Sequence, residues 1–358
     1  MQAAGSPGDV IDVRPDERFD EAAVAAWLAG RLDGARLPLQ VRQFGGGHAN
    51  LTYWLRFGEG AGAREWVLRR PPLGPVAAGA HDMQREHRVL SRLWRRFPPA
   101  PRALLYCDDA SVIGAPFLVM EHRPGVVVRR GVPEVFGGGR DPGANRKLSE
   151  TLIDTLALLH AVDPAAVGLE AFGRPEGFLE RQVRGWRERY ERARTREVPI
   201  AEEVARWLEA QRPGPSPAPA LVHNDWKLDN LAVAPDDPGR CVAVYDWDMC
   251  TLGDPLCDLG TLFAMWTEPG EPAAGTDPMP TRAPGFLRRA EAARRYAERS
   301  GRELDALGYY VVFGSFKMAV VLQQIFVRWQ RGQTRDARFE SLGAAAEDLF
   351  RLAGERRP

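Results

Sequence analysis

The sequence predicts an α+β chain of two lobes, a small antiparallel β-rich lobe with one helix followed by a larger, mainly helical lobe. Three observations predict it. Residues 41–70 carry short runs of β-formers between glycine-rich breaks. From about Asn145 the texture changes, with Leu148, Leu152, Leu156 and Leu159 recurring at helical spacing. At 358 residues the chain is also long for a single core, which suits a bilobal enzyme.

In chain order, residues 1–18 are polar and rich in Pro and Gly, a loose arm ahead of a short helix over 21–32. Strands follow at 41–44, 51–57 and 66–70, an antiparallel meander. A helix over 82–97 shows Val89, Leu90, Leu93 and Trp94 on one face, and extended stretches at 103–107 and 116–121 complete a block of five strands and one helix. The expected organisation is an arm and helix over 1–35, a nucleotide-binding lobe over 36–121, and a catalytic and acceptor-binding lobe over 122–358. The proline-rich stretch 212–220 and the Gly/Pro-rich stretch 268–284, read as a mobile loop, interrupt the helical half.

Composition excludes several classes. Lys plus Arg and Asp plus Glu are each 48, so no net field points to nucleic acid or a membrane surface. The first residues lack the pattern of a secretory signal and no unbroken apolar run reaches 18 residues, so a cytoplasmic location is expected. Cys107, Cys241, Cys250 and Cys257 show neither a CxxC pair nor zinc spacing, and are expected as free thiols.

The chemistry concentrates in LVHNDWKLDNLAV, where His223, Asp225, Lys227 and Asn230 stand in the order HxDxKxxN. Downstream, the apolar run CVAVYDWD delivers Asp246. Phosphoryl transfer needs a carboxylate to orient and deprotonate a hydroxyl, and hard oxygen ligands to hold Mg²⁺ against the phosphates. Asp225 suits the first role, Asn230 and Asp246 the second. Lys227 can place positive charge near the transferring group, and His223 suits an architectural role in the loop more than proton transfer. A polar turn or helix start would use some of the same residue types, but not this spacing followed by a carboxylate on an apolar strand.

Upstream, FGGGHANLTYWL sets Gly45, Gly46 and Gly47, with Asn50 after them, in the first hairpin of the β-lobe. Glycines let backbone N–H groups approach phosphate, and they also simply connect hairpins. Arg69, closing the strand WVLRR, and Glu86 on the next helix have the order of a phosphate-gripping cation and the acid that holds it. A solvated surface pair has the same spacing, and Arg70 is an alternative to Arg69.

With these residues in place, the chain resembles the aminoglycoside phosphotransferase and choline kinase family, small-molecule relatives of protein kinases. The likeness runs from about Val41 to Leu352. It is similar above all to the kinase-like domain attached to some acyl-CoA dehydrogenases, through GGHANLTY, VLRRPP, FLVMEHRPG, RQVRGWRERY, LVHNDWKLDNL and VYDWDMCTLGDPLCDLG. The resemblance implies a protein-kinase-like bilobal fold, ATP and Mg²⁺ as cofactors, Asp225 as base, and Asn230 and Asp246 as metal ligands. It also implies that the backbone near Met120 and Glu121 is the adenine hinge and that Asp258 braces the catalytic loop. Arg69 would replace the usual nucleotide lysine, and Ala49 stands where many relatives carry a serine.

The expected partner is a small-molecule hydroxyl acceptor. Residues 181–196 contain seven arginines and residues 317–340 five Lys or Arg, which favours an anionic acceptor unless these are solvated helix faces, and the resemblance implies a hydroxyacyl-CoA as the candidate. Antibiotic phosphorylation is the alternative acceptor class, and a nucleotide-binding pseudokinase the alternative of another kind.

Overall fold

The computed structural model describes residues 10–45, 50–73, 81–271, 279–334 and 337–357. The chain folds into two compact units, one of Met1–Pro124 with Val242–Asp248, the other of Gly125–Cys241 with Met249–Pro358. Gly46, Gly47 and Ala49 of the glycine segment, and 272–278 of the Gly/Pro-rich stretch, lie outside the described residues.

The first unit comprises β1 (Val10–Ile11), α1 (Glu21–Leu28), β2 (Leu39–Phe44), β3 (Leu51–Phe57), β4 (Arg64–Arg70), α2 (Met83–Leu93), β5 (Ala103–Cys107) and β6 (Phe117–Glu121). The strands form one antiparallel sheet in the order β1-β2-β3-β4-β6-β5. Tyr53, Leu55, Leu68, Phe117 and Val119 bury one face of it against Val24 and Leu28 of α1. The Asp82 carboxylate caps α2 by accepting the Arg85 N–H at 2.9 Å. Trp247, from the returning segment, lies edge-on to Phe97 in this unit.

Of the loose arm expected over residues 1–18, residues 1–9 lie outside the described residues and the rest is tied to the sheet. Residues 10–11 add a strand by pairing with Phe44 and Gln43, and the Glu17 carbonyl accepts hydrogen bonds from Tyr53 and Arg70. Two residues are too few to show strand alternation, so this edge has no periodic signature.

The second unit holds β7 (Val126–Val127), α3 (Pro142–His160), α4 (Phe178–Ala193), α5 (Pro199–Ala210), β8 (Ala220–Val222), β9 (Leu231–Ala234), β10 (Asp237–Val244, whose end passes into the first unit) and β11 (Thr251–Gly253). It continues with α6 (Leu256–Met265), α7 (Arg289–Ser300), α8 (Leu307–Gln330) and α9 (Leu342–Glu355). The strands form two small sheets, β10-β9-β7 and β11-β8. β8 and β9 flank residues 223–230, so the HxDxKxxN segment is a loop pinned at both ends by strands.

Trp186, Tyr190, Tyr310, Phe313, Phe316 and Phe350 dominate the helical core. A Cβ at Gly260 would sit 2.4 Å from the Tyr310 backbone, and one at Gly314 would sit 2.7 Å from the Gly260 carbonyl oxygen. α6 and α8 therefore touch backbone to backbone. α8 is long and apolar enough by composition to cross a membrane, with mean hydropathy 1.6 over 18 residues, and 67% of that stretch is buried. Lys317 interrupts its apolar run.

Candidate active site

In the second unit, the loop after β8 is built around two buried groups from distant helices. Asp258, near the start of α6 and 1% exposed, accepts the backbone N–H of His223 at 2.6 Å and of Asn224 at 2.7 Å. His160, at the end of α3, faces the same carboxylate through Nε2 at 3.2 Å and Tyr296 Oη through Nδ1 at 2.7 Å. Burial works against an ionised Asp258, but His160, His223 and the hydrogen bonds outweigh it and hold its pKa below the usual carboxylate range. Burial lowers the pKa of His160, so the imidazole is neutral, donates from Nε2 to Asp258 and accepts the Tyr296 hydroxyl at Nδ1.

On this brace the loop displays its functional groups. Asn224 takes the left-handed conformation, φ 66°, which turns the chain sharply just before Asp225. The Asp225 Oδ2 atom accepts from Lys227 Nζ at 3.0 Å and from Asn230 Nδ2 at 2.8 Å. Asn230 Nδ2 also donates to the Asp225 carbonyl, so its amide nitrogen faces the loop and Oδ1 is its other end. Burial opposes the Asp225 charge, yet Lys227, His223 and Lys317 together hold its pKa below the ordinary value. Asp225 is a carboxylate at neutral pH. His223 is fully buried, accepts the Asp225 N–H at Nδ1 (3.2 Å) and meets Trp226 edge to face.

A second cluster is complete within the first unit. Arg69 Nε lies 3.2 Å from Glu86 Oε2, and its Nη2 is paired with Asp246. The pair is buried, not solvated: Arg69 is 8% and Glu86 1% exposed. Burial pushes the Glu86 carboxyl up to about 7, with Asp246 and Asp248 adding to the rise and Arg69 opposing it. For Arg69 burial opposes the charge, while Glu86, Asp246 and Asp248 hold its pKa above the ordinary value. Arg70 points to the opposite face of β4, as strand alternation requires, and donates to Tyr53 Oη and the Glu17 carbonyl. Asp246 has φ 66°, an uncommon conformation for a carboxylate residue and one often found at working sites.

Asn50 Nδ2 donates to Asp248 at 3.3 Å, and its Oδ1 accepts from His81 Nδ1 at 2.9 Å. Gly45 precedes the undescribed residues, and its carbonyl lies 3.4 Å from Arg14 Nη2. Met120 and Glu121 end β6; the Glu121 N–H donates to the Arg102 carbonyl and its carboxylate accepts from Arg123. Sequence reading left Asp248, His81, His160 and Lys317 out of the site. Asp248 was within view, two residues after Asp246 in the same DWD run.

No group of three or more His, Cys, Asp or Glu forms a metal cage among the described residues. Mg²⁺ takes one or two protein oxygens and fills its shell with phosphates and water. Asn230 and Asp246 offer donors of that hard-oxygen kind.

A family model described as phosphotransferase enzyme family matches residues 40–304. The chain belongs to this family. It is a kinase-type transferase with the kinase-like fold of the aminoglycoside phosphotransferases. A crystal structure from Ralstonia eutropha JMP134, provisionally named an aminoglycoside phosphotransferase, is 30% identical, covers 95% of this chain and 98% of its own, and superposes with a TM-score of 0.79. The aminoglycoside phosphotransferase APH(4)-Ia, solved with AMP-PNP and hygromycin B, shares the fold at 15% identity and a TM-score of 0.57, over 93% of this chain and 98% of its own. Acyl-CoA dehydrogenase family member 11 of Gallus gallus is 33% identical over 92% of this chain, and the chain spans 42% of that relative's length.

Proposed function

We propose that this phosphotransferase moves the γ-phosphoryl group of ATP to a hydroxyl of a small molecule, with Asp225 as the base. The observation that carries the reading is the Asp225 carboxylate itself, held ionised by Lys227, Asn230 and the braced loop. An ionised carboxylate can accept a hydroxyl proton and orient the oxygen for in-line attack. Lys227 would lend positive charge to the transferring group, and His223 would keep the loop in shape from beneath.

Asn230 and Asp246 are the residues proposed to hold Mg²⁺, which when bound neutralises phosphate charge during transfer. Arg69, positioned by Glu86, is proposed to grip the nucleotide phosphates, and Gly45, Gly46, Gly47 and Asn50 to supply the glycine loop over them. Met120 and Glu121 are proposed as the adenine hinge. Since the Glu121 N–H is engaged by Arg102, adenine would use another backbone group of this stretch.

For the acceptor we propose an anionic molecule, with a hydroxyacyl-CoA as the candidate suggested by the acyl-CoA dehydrogenase names of the relatives. The basic helix supports this less than its arginine count implies. Arg187 pairs with Glu209 of α5 at 2.7 Å, Arg194 with Glu202 of α5 at 3.6 Å, and Arg196 with Glu347 of α9 at 2.6 Å. Arg189, by contrast, is exposed and stacks over Trp186 at 4.7 Å.

The test is acceptor-dependent consumption of Mg-ATP across hydroxyacyl-CoAs, hydroxy acids, amino alcohols and aminoglycosides, with products weighed by mass spectrometry. A phosphorylated hydroxyacyl-CoA is expected, and Asp225→Asn should lower turnover by about 10² or more while the fold and nucleotide binding persist. Phosphorylation of an aminoglycoside instead would overturn the acceptor. Equal turnover in parent and Asp225→Asn would overturn the base.

A further inference from the structure

We propose that Lys317 is a positioning residue for phosphoryl transfer: from α8 it fixes the peptide between Asn224 and Asp225 and so aims the Asp225 carboxylate. The inference rests on the reading of Asp225 given above.

Lys317 interrupts an otherwise apolar run, VVFGSFKMAVV, and is 6% exposed. Lysines are almost never fully buried unless paired, and an apolar side chain is commonly as good or better for stability at such a site. Among the described residues no carboxylate lies at hydrogen-bond distance from its ammonium. It donates at 2.6 Å to the Asn224 carbonyl oxygen and sits 5.7 Å from the centre of the Trp186 ring.

That carbonyl is half of a peptide whose other half is the Asp225 N–H. The N–H donates to His223 Nδ1 at 3.2 Å, so the peptide is pinned from both sides. Asn224 itself is held by its N–H to Asp258 Oδ1 at 2.7 Å and by its side chain to the Met249 carbonyl at 3.0 Å. A non-glycine residue at φ 66° is costly by roughly 1–3 kcal/mol unless its surroundings impose it. Two contacts fix its N–H and side chain, and among the described residues Lys317 is the one donor to its carbonyl. Without it the 224–225 peptide is held on its N–H side alone, by His223 Nδ1, and can tilt, which turns Asp225 away from the direction set by its neighbours. Reacting groups misplaced by about 1 Å can lose on the order of 10² in rate.

The test compares the parent, Lys317→Met and Asp225→Asn with Mg-ATP and hydroxyacyl-CoA, together with hydrogen–deuterium exchange of peptides spanning 222–231. Lys317→Met should lower kcat about tenfold or more, leave the KM for ATP within about twofold, and speed exchange in the loop but not in α2. If Lys317→Met does not fold, Lys317→Gln keeps a donor at shorter reach and should give the same split with a smaller fall in kcat. Unchanged kcat and exchange would overturn the inference, as would parallel losses in kcat, KM and thermal stability, which mark a merely structural lysine. If no acceptor turns over, the exchange result decides. A slowed Asp225→Asn beside an unaffected Lys317→Met sinks this inference alone, whereas an unaffected Asp225→Asn sinks the proposed function.

Discussion

Replacing Asp258 by Asn tests how the catalytic loop is held. The parent carboxylate accepts three hydrogen bonds in a fully buried setting, from His223 N–H, Asn224 N–H and His160 Nε2. An asparagine has one oxygen to offer, and its NH₂ must face a donor. At about 1.5–3 kcal/mol for a hydrogen bond to a charged group, plus about 1–3 kcal/mol for a buried donor left unsatisfied, the change should cost roughly 3–5 kcal/mol. Against a total stability of about 5–15 kcal/mol that is a large share. Urea titration at pH 7 should show it as a lower midpoint with an unchanged slope. The pH dependence has a definite sign. The Asp258 pKa is depressed in the folded protein, so its stabilisation is present above the unfolded value and lost as pH falls through the folded one. The parent should therefore lose stability on acidification more steeply than Asp258→Asn. A loss under about 1 kcal/mol at pH 7 with parental turnover would refute the argument that this carboxylate organises the loop.

Asp246→Ala should weaken magnesium-dependent nucleotide binding, and equal Mg-ATP affinity by calorimetry would remove Asp246 from the ligand set. For Glu86 the folded pKa of about 7 lies above the unfolded value near 4.5, so stability falls as pH rises between them. Glu86→Gln abolishes that fall, and its stability relative to the parent should improve by up to about 3 kcal/mol from pH 5 to pH 8, where a solvated pair would show under about 1 kcal/mol. Gly260→Ala places a methyl against the Tyr310 backbone and should cost about 1–3 kcal/mol, measured as a lower urea midpoint.

The candidate loop could be singled out in the sequence because its groups lie within eight residues, at the spacing that the proposed chemistry needs. Its supports could not, because they are remote in sequence. Lys317 reaches a carbonyl 93 positions away, and the only local sign is a single charge inside an apolar helix. Strand alternation says that Arg69 and Arg70 face opposite sides, but not which side carries Glu86 and Asp246. Counting arginines along α4 overstated the free positive charge, since the compensating glutamates come from α5 and α9. The sheet was clear from its β-branched and aromatic runs, while β1 and the short strands of the helical unit lacked the length to declare themselves.

The return of residues 242–248 to the first unit has a consequence for how the protein is made. On the ribosome, residues 1–124 emerge well before the segment that completes their unit, and the second unit begins to form in the meantime. Until Asp246 and Trp247 arrive, Arg69 lacks one of its two carboxylate partners and Phe97 lacks its indole neighbour. The Arg69 pairing is therefore completed only after residues 125–241 have been made. Severing the chain between 124 and 125 would leave the first piece without the segment that completes its unit.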